Sequence, residues 1–220
     1  MVEFTDQLHQ LVSDLWIKSE KQPFIIELQS GELPLAKFRF YLLQDRYYLS
    51  EFAKIHQLIA EQTTDLNIKN FVLASAEDLQ ESEVEVRKQF FKELNITDDE
   101  VDTTIIAPTA YAYVNHLYLT LQRDGLEAAL CAIAPCYWLY QEIGHKMAKV
   151  GSPVKYYQEW IDTYDSDWYA VNVKKLLALI NQLATNVPKK ELAKMKDAFL
   201  RSSYYELRFW QMAYNQEEWK

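Results

Sequence analysis

Hydrophobic residues recur every three to four positions along most of the chain, which is the spacing of helices with one buried face. Apart from Pro135 and Gly144, the proline and glycine residues lie between these periodic segments or at their ends. The pattern predicts helices over residues 4–16, 24–29, 34–62, 67–94, 108–125, 126–151, 153–164, 165–186 and 188–214, with a polar connection over 97–106. No segment alternates as a strand does, so we expect one all-α domain, residues 1–220, built as a bundle of roughly eight to ten helices.

Composition and charge narrow the class of protein. The 220 residues are 49% apolar, which suits a folded domain with a full core and argues against disorder. The net charge is −9 without a basic patch, so we expect no nucleic-acid partner. The acidic run from Glu77 to Glu85 is interpreted as a solvated helix face. Neither a signal-peptide core nor an apolar stretch of membrane-spanning length is found, so we expect a cytoplasmic protein with no membrane partner.

The predicted helix that carries Cys136 is the centre of the candidate site. Its inward stripe comprises Ala129, Ile133, Cys136, Tyr140, Ile143 and Met147. Pro135 lies inside this helix and is expected to kink it just before the thiol, which would free a backbone carbonyl. A buried thiol among aromatic rings is either inert core filling or a nucleophile in a pocket, and the pattern leaves both interpretations open. Cys131 falls roughly 140° away around the helix, so neither a disulfide nor a shared metal is expected.

Two carboxyl groups fall in the middle of aromatic stripes on other predicted helices. The stripes are Tyr41, Asp45, Tyr48 and Phe52 on one helix, and Phe199, Ser203, Glu206, Trp210 and Ala213 on the last. A buried carboxylate is costly unless it is paired, hydrogen-bonded or protonated. A tyrosine hydroxyl or an arginine such as Arg46 or Arg208 would satisfy each one singly. Burial also raises the pKa of a carboxyl group, which can give a glutamic acid the proton that a general acid needs at neutral pH.

Metal-binding patterns are weak in this sequence. Glu142 and His145 have the Glu-x-x-His spacing of one half of a helical di-iron site, and the sequence contains no second copy. Asp162, Asp165 and Asp167 lack the glycine and the spaced glutamate of a calcium loop. We interpret them as a solvated helix junction with Asp165 as an N-cap. No metal site is therefore expected.

Four motifs together make the sequence resemble the TenA family, the thiaminase II group, in its cysteine-containing form. They are QDRYYL at residues 44–49, PCYWLY at 135–140 followed by Ile143 and Gly144, WIDTY at 160–164, and SSYYE at 202–206 followed by Phe209 and Trp210. Gln22 departs from the pattern, because many members have histidine before the Pro-Phe pair that follows it. The resemblance extends along nearly the whole chain. It implies an all-α, haem-oxygenase-like bundle that is usually a homotetramer and needs no haem or other cofactor.

The resemblance also implies a reaction, the hydrolysis that detaches the substituent from the methylene carbon of a 4-amino-2-methylpyrimidine. One usual substrate is 5-aminomethyl-4-amino-2-methylpyrimidine, which gives ammonia. The other is thiamin, which gives its thiazole. Both yield the hydroxymethylpyrimidine that is used in thiamin salvage.

Residue roles carried over by motif centre on Cys136 and Glu206. The resemblance implies that Cys136 is the nucleophile that adds to the pyrimidine ring and that Glu206 protonates a ring nitrogen. It further implies that Asp45 accepts from the exocyclic amino group and that Tyr48 stacks on the ring. The pocket would be lined by Tyr113, Tyr140 and Tyr164.

Two other classes of protein remain open from the residues. A helical pyrimidine-binding protein with an idle thiol would use the same side chains without turnover. A structural or regulatory helical protein would instead satisfy Asp45 and Glu206 internally and leave no cavity between them. Mass spectrometry after incubation with ligand separates an enzyme from a binding protein, since only an enzyme converts the ligand.

Overall fold

The computed structural model describes residues 2–220, and for residues 80–87 the backbone alone. Ten helices occur in this part of the chain: α1 (Phe4–Glu20), α2 (Pro23–Ser30), α3 (Leu35–Gln62), α4 (Leu66–Glu93), α5 (Asp98–Thr103), α6 (Pro108–Asp124), α7 (Leu126–Ala148), α8 (Lys155–Tyr164), α9 (Asp167–Ala184) and α10 (Lys189–Asn215). No strand is present among these residues. The predicted all-α architecture is confirmed.

Helix ends follow signals in the local sequence. Pro23 and Pro108 occupy the first positions of α2 and α6, where a missing N–H is tolerated. Asp65 caps α4 by accepting from two backbone N–H groups of its first turn, at 2.8 and 3.3 Å. Gly31 ends α2 in the left-handed conformation, with φ of 83°. These signals explain why most predicted and observed boundaries agree within a few residues.

Helix α5 lies inside the segment that the sequence predicts as a polar connection. Thr97 accepts from the Glu100 N–H at 3.2 Å, and the Glu100 carboxylate accepts from the Thr97 N–H at 2.9 Å. This reciprocal pair is a capping box, whose Thr-x-x-Glu spacing is visible in the sequence. The prediction is wrong here because six residues, of which only Val101 is apolar, are too few to show hydrophobic periodicity.

Helix α7 lies at the centre of the bundle and packs against α6, α8, α9 and α10. All residues from 128 to 137 are buried, so this stretch has no outer polar face. The helix continues through Pro135 as one element, and the kink expected there stays a prediction. Because α3 also contacts α6, α7 and α10, side chains from these four helices meet inside the bundle, beside α8.

Two further expectations concern the acidic run and membrane-spanning helices. Glu77 is exposed, but the part of the acidic run from residue 80 onward lies outside the side chains that are described, so the predicted solvated face stays a prediction. None of the helices, as far as their residues are described, combines the length and the apolar character needed to cross a membrane.

Candidate active site

Asp45 on α3 and Glu206 on α10 both lie inside the bundle, as their aromatic stripes predict. The exposed fraction is 5% for Asp45 and 2% for Glu206. The two carboxyl groups are close enough for the charge of Asp45 to raise the pKa of Glu206. Helix packing thus brings two buried acids from distant parts of the sequence into one environment.

The pKa of the Glu206 carboxyl group is strongly raised. Burial is the main reason that its pKa is raised to about 8, and the charge of Asp45 adds to the rise. The Tyr113 hydroxyl donates to Glu206 Oε1 at 2.6 Å, which favours the carboxylate and partly opposes the rise. A carboxyl group with this pKa is largely protonated at neutral pH. Since Tyr113 occupies Oε1, the other oxygen is left to carry the proton, which is the property of a general acid.

The Cys136 thiol belongs to the buried stripe of α7, with an exposed fraction of 8%. Burial raises the pKa of the Tyr48 and Tyr113 hydroxyls, and the nearby Cys136 thiol contributes to both shifts. Cys131 is buried in a different setting, where burial and the charge of Glu127 raise the pKa of its thiol. Neither cysteine forms a disulfide in the described part of the chain, and Cys136 is the one that lies near the Tyr113–Glu206 pair.

The tyrosines predicted for the site surround these groups. The ring centroids of Tyr48 and Tyr113 are 4.9 Å apart, and those of Tyr140 and Tyr164 are also 4.9 Å apart. Burial raises the pKa of Tyr140, and both carboxyl groups add to that rise. The structure therefore brings the predicted residues into one connected group, the site cluster, which consists of Asp45, Tyr48, Tyr113, Cys136, Tyr140, Tyr164 and Glu206.

The Tyr48 hydroxyl is buried in the site cluster and has no hydrogen bond of normal geometry to the described residues. It lies near the Tyr113 hydroxyl, whose own hydrogen bond goes to Glu206. A buried hydroxyl without a partner costs about 1–3 kcal/mol, and a polar ligand would remove this cost. The Tyr48 ring itself is held by stacking on Phe52, with centroids 5.2 Å apart.

Gln44 has a positioning role that helical periodicity does not reveal. Its buried side chain donates to the Ile105 carbonyl at 3.1 Å and accepts from the Ala107 N–H at 2.8 Å. These bonds hold the backbone that leads into α6, the helix that carries Tyr113. The sequence signal was the presence of Gln44 beside Asp45 in the first motif, but nothing in the local pattern indicates a partner 61 residues away.

Gly144 allows α8 to approach α7 closely. A Cβ added at this position would lie 2.6 Å from the Tyr164 Cβ and 3.0 Å from the Tyr164 carbonyl carbon. Distances this short force a neighbour to move, and here the neighbours are main chain and Cβ. Glycine at this position therefore determines where Tyr164 sits against Tyr140.

The residues considered as metal ligands have other partners. His9 Nε2 lies 2.9 Å from Glu142 Oε1, and His145 Nδ1 lies 2.9 Å from Asp165 Oδ1. The N-cap predicted at Asp165 is wrong, because Ser166 caps α9 by accepting a backbone N–H at 3.3 Å. In the described part of the chain, no three His, Cys, Asp or Glu side chains are grouped so as to hold a metal ion.

The helical arrangement and its central cluster define a haem-oxygenase-like bundle. A domain from Shewanella denitrificans OS217, described as having a heme oxygenase-like fold, superposes with a TM-score of 0.76 over 98% of this chain and 94% of that one. At 12% identity this likeness shows the fold alone. The chain belongs to the TENA/THI-4/PQQC family, whose sequence model matches residues 9–216.

Similarity to individual proteins extends over nearly the full length. The chain is 35% identical over 218 residues to the aminopyrimidine aminohydrolase of Bacillus subtilis (strain 168), covering 99% of this chain and 92% of that protein. The solved TenA homologue from P. horikoshii OT3 is 30% identical with a TM-score of 0.89, covering 97% of this chain and 99% of that one. The resemblance to the TenA family that the four motifs predict is confirmed, and membership in its cysteine-containing form stays a prediction.

Proposed function

We propose that this protein is a hydrolase that cleaves the substituent from the methylene carbon of 4-amino-2-methylpyrimidines, in thiamin salvage. The observation that carries the proposal is the buried Glu206, whose pKa of about 8 leaves a proton available beside Asp45 and Cys136. The name of the Bacillus subtilis relative supports an aminopyrimidine substrate. The proposed substrates are 5-aminomethyl-4-amino-2-methylpyrimidine and thiamin.

The proposed complex places the pyrimidine ring between the two buried acids. The ring stacks on Tyr48, its exocyclic amino group donates to Asp45, and a ring nitrogen accepts from Glu206. The remaining tyrosines of the site cluster, Tyr113, Tyr140 and Tyr164, line the pocket. A donor and an acceptor fixed on opposite sides of an apolar pocket would select a ring with the matching pattern of hydrogen-bonding groups.

The proposed chemistry begins when the Cys136 sulfur adds to a ring carbon and Glu206 protonates the ring nitrogen. A C–S bond forms, the thiol proton passes to the departing amine, and the ring electrons expel ammonia from the methylene carbon. Water then adds its hydroxyl to that carbon and releases a proton. Finally the C–S bond breaks, the sulfur takes up a proton as the thiol re-forms, and the ring nitrogen returns its proton to Glu206. With the aminomethylpyrimidine, one water is consumed and one ammonia is released. With thiamin, the neutral thiazole leaves without the thiol proton, and one proton is released overall. Neither reaction needs an oxidant, a metal or a cofactor.

The proposal also covers the organisation of the protein. Residues 1–220 would act as one domain, and four copies would form a homotetramer, as the family resemblance implies. The cytoplasm is the location that we propose from the sequence. Light scattering on the purified protein measures the number of copies directly.

The test of the proposed function is incubation of the protein with each substrate, followed by chromatography and mass spectrometry. We expect hydroxymethylpyrimidine to appear together with an equal amount of ammonia or of thiazole. Binding of either compound without product would contradict the enzyme and support a binding protein with an idle thiol. Absence of both binding and turnover would support a structural or regulatory role.

Gly144→Ala is expected to destabilise the fold and to weaken binding of hydroxymethylpyrimidine. The new Cβ would lie 2.6 Å from the Tyr164 Cβ, and overpacking of this kind costs about 1–3 kcal/mol. The intrinsic gain of alanine in a helix is only about 1 kcal/mol, so the clash is expected to dominate. Urea unfolding measures the first effect, and calorimetric titration with hydroxymethylpyrimidine measures the second.

Gly125→Ala is the matched control for this prediction. Gly125 has φ of 92°, which strains an alanine, but the nearest atom to an added Cβ is Glu127 Oε2 at 3.9 Å. We therefore expect a loss of stability with unchanged affinity. If Gly144→Ala were as stable as the wild type, the close approach of α8 would not depend on this glycine.

A further inference from the structure

The five residues that follow α10, residues 216–220, fold back onto the start of α6. We call this segment the C-terminal clasp. We propose that the clasp is a positioning element that holds α6 against α10, and that Glu217 and Trp219 thereby set the hydrogen bond between Tyr113 and Glu206. The consequence for catalysis rests on the proposed function, whereas the contact itself does not.

Helix α6 lacks a cap of its own, and Glu217 supplies one. The N-cap residue is Ala107, which has no side-chain acceptor, and Pro108 follows it. The first free N–H of the helix belongs to Thr109, and it donates to Glu217 Oε2 at 2.9 Å. A carboxylate at this position accepts from an N–H group that has no partner within the helix. It also interacts favourably with the positive end of the helix dipole.

Trp219 binds the same stretch of backbone from the other end of the clasp. Its indole N–H donates to the Ile106 carbonyl at 2.8 Å. The neighbouring Ile105 carbonyl and Ala107 N–H are bound by Gln44 from α3. Backbone polar groups leading into α6 are therefore satisfied by side chains from two distant segments, and the clasp provides half of these bonds.

The clasp joins the two helices that form the Tyr113–Glu206 hydrogen bond. Thr109 lies four residues before Tyr113, so both point to the same face of α6, one turn apart. At the other end, the chain reverses at Gln216, which has φ of 49°, and the Glu217 N–H donates to the Met212 carbonyl at 3.0 Å. A displacement of the clasp would therefore move the Tyr113 hydroxyl relative to α10.

The direction in which the pKa of Glu206 changes distinguishes a loss of positioning by the clasp from a simple loss of the Glu217 charge. The groups that face Glu206 are Tyr113 from α6, Asp45 and Tyr48 from α3, and Tyr140 from α7. Loss of the Tyr113 hydrogen bond removes a contact that lowers the pKa of Glu206, so this pKa should rise further.

Removal of the Glu217 charge alone would act in the opposite direction. Loss of a negative charge lowers the pKa of an acid nearby. Arg208, whose Nη2 lies 3.9 Å from Glu217 Oε1, would also lose its counter-charge. Its unbalanced positive charge would lower the pKa of Glu206 as well. A rise in the Glu206 pKa is therefore the signature of lost positioning.

The experiment follows protonation of Glu206 directly by infrared titration of the full-length protein, with Glu206→Gln to assign the carboxyl band. We expect Glu217→Ala to raise the titration midpoint by roughly half a pH unit, and Tyr113→Phe to raise it by about one unit. In the Tyr113→Phe background, Glu217→Ala should cause no further shift, because the bond through which it acts is already absent.

Three variants complete the design. Glu217→Gln keeps an acceptor for the Thr109 N–H and is expected not to raise the midpoint. Trp219→Phe keeps an aromatic ring but loses the N–H donor, and it is expected to raise the midpoint. This variant covers the case that Glu217→Ala fails to fold. Glu218→Ala is the matched control, since the adjacent exposed glutamate carries the same charge, and its midpoint should equal that of the wild type.

Several results would overturn the inference. They are an unchanged or lowered midpoint in Glu217→Ala, an equal shift in Glu218→Ala, or the same shift with and without the Tyr113 hydroxyl. None of these titration measurements requires the protein to turn over a substrate. A wild-type protein with the raised Glu206 titration but no hydrolysis would defeat the proposed function and leave the clasp standing.

Discussion

Cys136→Ser is expected to lower the turnover of the aminomethylpyrimidine and of thiamin by at least about a thousandfold, with binding nearly unchanged. In the proposed complex, the ring contacts come from Asp45, Glu206 and the tyrosines, whereas the sulfur acts in the transition state. A serine hydroxyl is a much weaker nucleophile than a thiolate. The loss should therefore fall on kcat and leave KM almost unaltered. Steady-state kinetics and calorimetric titration with hydroxymethylpyrimidine measure the two quantities.

Cys131→Ser is the natural control, because it makes the same chemical change five residues away on the same helix. Cys131 is fully buried and its charged neighbour is Glu127, so the folded variant should retain wild-type turnover. Turnover at the wild-type rate in Cys136→Ser would exclude covalent catalysis. Direct attack of water on the methylene carbon would then be the remaining route.

Glu206→Gln is expected to reduce kcat by about a hundredfold to ten-thousandfold, the usual contribution of a general acid. An amide has nearly the shape of the carboxylic acid and keeps an acceptor for the Tyr113 hydroxyl. It has no acidic proton, so the ring nitrogen would stay unprotonated and the ring would be a poor electrophile. Single-turnover kinetics with the aminomethylpyrimidine isolate this chemical step.

The pH dependence of turnover tests the same group independently. Glu206 acts in its protonated form, so activity should decline as the pH rises through about 8. Glu206→Gln should lack this alkaline decline, since the amide does not titrate. Glu142→Gln, which alters a glutamate paired with His9 on the outer side of α7, should retain it. A decline that persists in Glu206→Gln would mean that another group supplies the proton.

Most of the helical architecture was predictable because periodicity and helix-end signals are local properties of the sequence. Pro108 at the start of α6 and Gly31 at the end of α2 act through their own backbone geometry. Helix α5 begins at a local capping box, but it is joined to α3 by the ion pair of Arg39 with Glu100, a contact between residues far apart in the sequence. Local spacing does not specify bonds of this kind.

The site was predictable in part. Spacing alone placed Asp45, Cys136 and Glu206 on buried faces, because each stripe is a property of a single helix. Which stripes face one another depends on helix packing, so the Tyr113–Glu206 bond was not readable from periodicity. The individual roles came from the family resemblance and remain proposals.

The deep burial of Cys131 turns the number of accessible thiols into a measure of folding. Reagents such as iodoacetamide react with the thiolate, and burial both shields this sulfur and raises its pKa. Cys131 becomes reactive only when the α7 core opens. The fraction of chains modified at Cys131 therefore reports the unfolded fraction of a preparation. With this number, low activity caused by altered chemistry can be distinguished from low activity caused by misfolded protein.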